Sequence, residues 1–368
     1  MARVLLTVCA LVAGFIALAL PTPARAQLPQ LTPELRQELL ILYPAADTNQ
    51  DGALGDGEAL SYYLSMRGRR SQSPPPGPTP TMTNIAYGPY ARQVLDFWQA
   101  PAASSTQPAP VVVYIHGGGF LNGDKTAIRG DRLIQACLDA GVSFAAINYR
   151  YLSQGVPLQD ILRDCARAVQ FLRVRAMPWH IDPTRIAAYG ASAGAGAAIW
   201  LAAHPDLADP DHADLILRQS SRLVAAGAVV PQATYDLLRW TEIFGAEPVA
   251  RFGGRYNSPV LYGLATMDEL HTPAGQKIRA DVDMLALLSK DTAPVFISGS
   301  FPSLAVESLS QLLHHPKHAQ LLYERLRELG VPVVANIPAL KIAPPAGGPR
   351  TWPEFLFAQL GVTKRGSR

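Results

Sequence analysis

The stretch RIAAYGASAGAGAAIWLAAH, residues 185–204, decides the fold class of this chain. Residues 185–190 have the near-continuous apolar pattern of a buried strand, and residues 193–204 that of a buried helix. Between them, Gly190-Ala191-Ser192-Ala193-Gly194 forms a G-x-S-x-G sequence. A sharp strand-to-helix turn here would expose the Ser192 hydroxyl at a helix N-terminus, where free N–H groups favour an anion. By itself this short motif also fits a tight glycine-rich turn.

On both sides of this turn, apolar runs alternate with amphipathic stretches. The other buried strands are predicted in VVVYIHG (111–117), SFAAINYR (143–150), LVAAGAVV (223–230), PVFISGS (294–300) and VPVVANI (331–337). Helices are predicted over 127–140, 159–177, 193–204 and 316–329. This alternation predicts an α/β fold, a mostly parallel sheet with helices on both faces. Residues 232–293 are too long for a simple connection and are a candidate lid or substrate wall.

A second glycine motif, His116-Gly117-Gly118-Gly119, follows the strand VVVYI. Consecutive glycines let backbone N–H groups approach a substrate oxygen without obstruction by side chains. With the N–H of Ala193, they would form an oxyanion hole for a tetrahedral intermediate. The alternative is an ordinary glycine loop, but both motifs lie at strand ends and in the order that this chemistry needs.

The stretches VVVYIHGGGFLNGDK, AAINYRY and IDPTRIAAYGASAGA resemble the hormone-sensitive-lipase and bacterial esterase branch of the α/β-hydrolases. The resemblance covers about residues 84–361, including a last helix in TWPEFLFAQLG. It implies a carboxylic-ester hydrolase that forms an acyl-enzyme on Ser192 and needs no catalytic cofactor. It also implies an oxyanion hole made by Gly118, Gly119 and Ala193, with Gly117 close by. The implied partner is a small-molecule ester.

Two members of the implied catalytic triad are missing from their usual places. The family has an Asp soon after the strand PVFISGS, where this chain reads Gly299-Ser300-Phe301-Pro302. It also has a His after the last strand, where this chain reads Ile337-Pro338-Ala339-Leu340-Lys341. No histidine follows His318. A serine is a poor nucleophile without a base, so the base needs another source.

Two explanations stay open. The base could be His314 or His315 in LLHHPKHA, with Glu307 as the acid that orients it, because geometry rather than sequence position defines a triad. The histidines could instead be merely polar, at a helix start with Pro316 in the first position. In that case the protein is a degenerate hydrolase that binds ester-like or carbohydrate ligands.

The N-terminal part contains a calcium-loop sequence. Residues 47–58, DTNQDGALGDGE, match an EF-hand loop position by position. The predicted ligands are Asp47, Asn49, Asp51, Ala53 through its carbonyl, and Glu58 as the bidentate ligand. Oxygen ligands of this number and charge suit Ca²⁺, in a structural or contact-making role. The predicted organisation is a signal peptide (1–26), an EF-hand-like segment (27–70), a proline-rich linker (71–83) and the hydrolase domain (84–368).

Composition narrows the function classes. A formal net charge of +3 over 368 residues gives no reason to expect a nucleic-acid partner. The N-terminus has the pattern of a signal peptide: Arg3, the apolar run 4–20 and the A-x-A step at Ala24-Arg25-Ala26. This pattern predicts export to the periplasm or medium, against the alternative of a membrane anchor or core helix. After removal of the signal, no stable membrane insertion is expected, and the calcium module could serve surface or carbohydrate association. Cys137 and Cys165 are predicted to be unpaired.

Overall fold

The computed structural model describes residues 55, 58, 77–301 and 304–362. The chain divides into two units, Met1–Arg67 and Gly68–Arg368. Of the first unit, Gly55 and Glu58 are described, and the Gly55 N–H donates to Glu58 Oε2 over 3.1 Å. The predicted signal peptide, the rest of the calcium loop and the linker up to residue 76 lie outside the described residues, so these assignments stay predictions.

In the described part of the second unit, eight strands form one sheet in the order β1-β2-β4-β3-β5-β6-β7-β8. The strand β1 pairs antiparallel with β2, and β2 pairs antiparallel with β4, whereas the other neighbours are parallel. The strands are β1 (Met82–Ala86), β2 (Val94–Trp98), β3 (Ala109–Ile115), β4 (Ser143–Ile147), β5 (Ile181–Ala191), β6 (Ala225–Val229), β7 (Val295–Ser298) and β8 (Val333–Asn336).

Helices cover both faces of this sheet. They are α1 (Arg132–Asp139), α2 (Leu158–Val174), α3 (Ala193–Ala203), α4 (Leu237–Phe244), α5 (Ala246–Phe252), α6 (Pro273–Val282), α7 (Met284–Leu287), α8 (Leu309–His314), α9 (Pro316–Glu328) and α10 (Trp352–Gln359). Successive β3 side chains enter opposite cores, as the two-residue repeat of a strand requires: Val113 joins the core with α2, α3 and α9, and Val112 the core with α1 and α10. The predicted α/β fold with helices on both faces is confirmed.

All the predicted strands and the four predicted helices are present, with bounds shifted by a few residues. The strands β1 and β2 were not predicted from the sequence. In β2 the charged residue Asp96 interrupts the apolar pattern. It can be fully buried because it forms ion pairs with Lys125 and Arg129. The edge strand β1 is mostly exposed and therefore has no apolar run. These two strands form the antiparallel edge of the sheet.

The predicted insertion 232–293 contains α4 to α7 between β6 and β7. It packs against the core at several points: Trp200 Nε1 of α3 donates to the Asp281 carbonyl over 2.6 Å, and Arg163 of α2 pairs with the Asp281 carboxylate at 2.9 Å. The helix α5 packs against α8. The insertion therefore contacts the segment that carries the histidines His314 and His315.

Both described cysteines are buried and free, as predicted. Cys165 lies in the core on the α2 side of the sheet, and Cys137 lies in the core on the α1 side. The sheet itself separates them, which explains why they do not pair. Among the described helices, none is long and apolar enough to cross a membrane.

Candidate active site

Ser192 stands on a strained turn between β5 and α3. Its backbone has φ 54° and ψ −122°, a conformation that costs energy for a residue with a side chain. Its own N–H donates to the Val229 carbonyl of β6 over 2.9 Å, which holds the turn against the sheet. The Ser192 side chain is partly accessible at the C-terminal end of the strands.

The two glycines of the G-x-S-x-G sequence are needed for close approach. A Cβ on Gly190 would lie 2.3 Å from the Gly194 carbonyl, and a Cβ on Gly194 would lie 2.0 Å from the Ile115 carbonyl oxygen. Real Cβ atoms do not come this close to backbone, so no other residue fits without moving β3 or α3. These two glycines therefore allow α3 to begin directly beside β3, with Ser192 at the turn between β5 and α3.

A histidine reaches the serine hydroxyl. Ser192 Oγ and His314 Nε2 are 2.8 Å apart, although 122 residues separate them in sequence. His314 is the last residue of α8, in the connection between β7 and α9. Burial lowers the pKa of His314 below its usual 6.5, and a backbone hydrogen bond with Ser310 only partly opposes this shift. The imidazole is therefore neutral at pH 7, the state in which it can accept a proton.

The other ring nitrogen of His314 does not face a carboxylate among the described residues. Its hydrogen-bond neighbours both belong to Ser310, one helical turn earlier in α8: the backbone, and the hydroxyl, which lies 3.4 Å from Nδ1. Glu307, which the sequence analysis offered as the orienting acid, is not brought to this nitrogen. It precedes α8, and its backbone N–H is tied to Gln311 Oε1 at 2.6 Å. In helical geometry a residue seven positions back is about 10 Å away along the axis, whereas the fourth is adjacent.

His315, the alternative base, has both ring nitrogens occupied elsewhere. Its Nδ1 accepts from the Lys317 N–H over 3.0 Å, which caps the N-terminus of α9, and its Nε2 donates to the Leu304 carbonyl over 3.0 Å. The side chain is 9% exposed. Because α8 ends between the two histidines, their rings point in different directions, and the structure brings His314 alone to Ser192.

The loop Gly117–Gly119 lies beside the nucleophile. A Cβ on Gly117 would be 2.9 Å from the Ala191 carbonyl oxygen and 3.6 Å from Ser192 Cβ. Gly118 and Gly119 have φ of 108° and 61°, which favours glycine at both positions. Within the described residues, no protein acceptor takes a hydrogen bond from the N–H of Gly118, Gly119 or Ala193. Donors left open beside a serine are what a developing oxyanion requires.

His116, the first residue of this loop motif, is not a base. It stacks on Tyr149 with ring centroids 4.2 Å apart, and its Nδ1 lies 2.7 Å from the Gly117 carbonyl. Burial lowers its pKa to about 4, so the ring is neutral. Its side chain therefore packs against Tyr149 and contacts the Gly117 backbone, which is a structural role.

Two contacts at the site were not predicted. The Ser310 hydroxyl could have been found from the spacing of four residues within LSQLLH, once α8 was recognised as a helix. The Tyr256 hydroxyl of the insertion donates to the Gly119 carbonyl over 2.7 Å. Nothing in the sequence around Tyr256 indicates this contact, because it joins segments that are 137 residues apart.

Residues 95–246 match the family model BD-FAE. A probable isoprenylcysteine alpha-carbonyl methylesterase of Arabidopsis thaliana is 25% identical over 66% of this chain and 49% of its own length. A probable carboxylic ester hydrolase of Mycobacterium tuberculosis is 33% identical over 30% of this chain and 26% of its own length. The chain thus spans about half of the length of the first of these curated relatives and about a quarter of the second.

Solved structures share the fold. A truncated carbohydrate esterase from gut microbiota superposes with a TM-score of 0.56 at 14% identity, over 78% of this chain and 99% of that one. Esterase 2 of Thermogutta terrifontis, phosphonylated by sarin, superposes with a TM-score of 0.52 at 19% identity, over 70% of this chain and 84% of that one. With the mostly parallel sheet and the serine turn between β5 and α3, they show that the described part of this chain has the α/β-hydrolase fold.

Proposed function

We propose that this protein is a serine carboxylic-ester hydrolase with Ser192 as nucleophile and His314 as general base. The observation that carries the proposal is the 2.8 Å contact between Ser192 Oγ and His314 Nε2. The open N–H groups of Gly118, Gly119 and Ala193 beside that serine support it, as do the similarities to methylesterases and ester hydrolases. The motifs carried over from the hormone-sensitive-lipase and bacterial esterase branch supply the same nucleophile and oxyanion donors.

In the proposed reaction, Ser192 Oγ attacks the ester carbonyl carbon while its proton passes to His314 Nε2. The carbonyl oxygen becomes an oxyanion that accepts hydrogen bonds from Gly118, Gly119 and Ala193. Collapse of this intermediate breaks the bond to the alcohol oxygen, which takes the proton from His314. Water then attacks the acyl carbon and loses a proton to His314; the second tetrahedral intermediate collapses by breaking the bond to Ser192 Oγ, which takes that proton back from His314 as the carboxylic acid leaves. No cofactor is needed for these steps.

The arrangement at Nδ1 sets the expected efficiency. A hydroxyl 3.4 Å away can hold the ring in one tautomer, but it does not stabilise the imidazolium as a carboxylate would. We therefore expect slower turnover than that of a complete Ser-His-Asp triad. The alternative, a degenerate hydrolase that only binds esters or carbohydrates, draws on this same feature and on the fold shared with a carbohydrate esterase.

Small esters are the proposed substrates. The assay should vary the length of the acyl chain and should include esters whose alcohol component is a sugar. We would measure hydrolysis of p-nitrophenyl acetate, butyrate and octanoate and of acetylated xylo-oligosaccharides, with Ser192→Ala as the matched control. In parallel, a fluorophosphonate probe should label the wild-type protein at one peptide, the one containing Ser192. Turnover or labelling that persists in Ser192→Ala would overturn the proposal. A wild-type protein that binds these esters but neither hydrolyses them nor reacts with the probe would favour the alternative of a degenerate hydrolase.

Export and calcium binding are part of the proposal on the sequence patterns alone. The ligand set of the loop 47–58 suits Ca²⁺, and a single loop in an exported protein fits weak, extracellular-range affinity. We propose a structural or surface-attachment role for the ion, because the catalytic groups named above include none of its ligands.

A further inference from the structure

The base helix α8 has few means of its own to hold His314 in place. It is six residues long, His314 is its final residue, and the hydrogen bond to the ring's second nitrogen is a long one to a hydroxyl. The last carbonyls of any helix also have no partner within the helix. Contacts from outside α8 are therefore needed, in addition to Ser310, to hold the imidazole in one orientation.

We infer that Gln232 is the positioning residue for His314, an inference that rests on the proposed function. Its side chain is 3% exposed and lies at the beginning of the insertion. The amide nitrogen Nε2 donates to the Leu313 carbonyl over 2.7 Å, which satisfies one of the open carbonyls at the end of α8. That carbonyl belongs to the peptide group whose nitrogen is the backbone nitrogen of His314, so the bond fixes the plane from which the His314 side chain projects.

The same segment also holds the nucleophile. The Val229 carbonyl, three residues before Gln232, accepts the hydrogen bond from the Ser192 N–H over 2.9 Å. Residues 229–232 therefore contact the backbone of the serine at one end and the backbone of the histidine segment at the other. Because this four-residue segment bonds to both, it sets the distance between Ser192 and His314 directly, without a carboxylate at the imidazole ring.

Gln232 is itself held in place. The Tyr235 hydroxyl lies 3.2 Å from Gln232 Oε1 and 3.5 Å from the Ala193 carbonyl. The next residue, Ala233, donates its N–H to His318 Nδ1 of α9 over 3.2 Å. Because both amide ends of Gln232 have partners and the neighbouring backbone is anchored to α9, the side chain has one orientation available to it.

The test is Gln232→Met, which keeps the length and approximate volume of the side chain but removes both the donor and the acceptor of the amide. We expect kcat to fall by about 10- to 100-fold, the cost of a misplacement of about 1 Å between reacting groups, with KM little changed. We also expect the acidic limb of the pH profile of kcat/KM to move to higher pH, because a loosened α8 lets water reach the His314 ring. A role in stability alone would leave that limb in place.

The matched control is Gln170→Met. Gln170 is 1% exposed and donates to the Gln219 carbonyl over 2.8 Å, so it loses the same kind of buried amide-to-carbonyl bond. The bonds of Gln170 go to residues 207–219, which are far in the chain from α8. The Gln170→Met variant should therefore have a lower Tm, with the kcat and the acidic limb of the wild type. If Gln232→Met does not fold, Gln232→Asn serves instead, because it keeps an amide but is one methylene shorter, which takes the donor out of reach of the Leu313 carbonyl.

The outcomes separate the two proposals. An active wild type with Gln232 variants whose kcat and pH limb are unchanged overturns the inference and leaves the proposed function intact. A wild type that neither hydrolyses esters nor reacts with the fluorophosphonate overturns the proposed function itself. A loss of kcat of equal size in Gln170→Met would assign the effect of Gln232 to general stability and would also overturn the inference.

Discussion

Replacing His314 by alanine gives the sharpest test of the proposed base, because the structure also predicts the size of the effect. In a complete serine triad, loss of the histidine costs about 2 × 10⁶ in kcat, whereas loss of the acid alone costs about 3 × 10⁴. A histidine that works without an acid therefore contributes about 10²-fold. Since His314 faces a hydroxyl and not a carboxylate, we expect His314→Ala to lower kcat by about 10²-fold, or about 3 kcal/mol.

The neighbouring histidine supplies the control. His315 caps α9 through Nδ1, and asparagine is also a preferred N-cap residue, so His315→Asn keeps the cap and loses the bond to the Leu304 carbonyl. We expect this variant to have a lower Tm and the kcat of the wild type. The contrast distinguishes a catalytic imidazole from one that stabilises a helix end.

The assay is steady-state hydrolysis of p-nitrophenyl acetate at pH 7.0, with the Ser192→Ala variant setting the background rate. Circular dichroism of each variant shows whether the fold is kept. The reasoning is refuted if His314→Ala retains the kcat of the wild type, or if His315→Asn loses as much activity as His314→Ala. A loss near 10⁶-fold would also refute the magnitude, because it would require an acid that acts on the ring.

Three further predictions follow from the same geometry and from the calcium motif. The base must be neutral to accept a proton and burial lowers the pKa of His314, so the acidic limb of kcat/KM should lie below pH 6.5; a limb at or above 6.5 contradicts this. Ser310→Ala should lower kcat by up to about tenfold, the worth of one neutral hydrogen bond, while Glu307→Gln should leave it unchanged, and the reverse ranking would restore Glu307 as the acid. Asp47→Ala combined with Glu58→Gln should abolish Ca²⁺-dependent protection of residues 27–70 from proteolysis without a large change in esterase rate, and a large fall in rate would disprove the independence of the two parts.

The central strands could be predicted because their chemistry is local. Each buried parallel strand is a short apolar run between glycines or polar turns, and the turn at Ser192 repeats a pattern whose spacing is set by backbone contact. The strand β2 could not be found this way. Its Asp96 is buried only because Lys125 and Arg129 approach it from the segment after β3, and that compensation is not visible in the residues around Asp96.

The residues of the candidate site also differ in whether local sequence predicts them. The nucleophile and the oxyanion loop follow from residues that are adjacent in sequence. The choice between His314 and His315 depends on where α8 ends, a matter of one residue that helix patterns do not resolve. The Glu307 hypothesis counted proximity in sequence, whereas the helix brings the residue four positions back to the ring, and that residue is Ser310. Long-range contacts such as that of Gln232 with Leu313 leave no local pattern at all.

With the proposed base on α8, the turn after β8 has no part in the proposed reaction. There, Ile337 pairs with Ile342 across a small bridge, and Lys341 closes it with a φ of 56°. In the proline- and glycine-rich stretch 344–349 that follows, residues 345–347 are exposed. Residues 345–347 are therefore a point for attaching a dye, an affinity tag or a solid support, because they are exposed and belong to neither of the segments that carry Ser192 and His314.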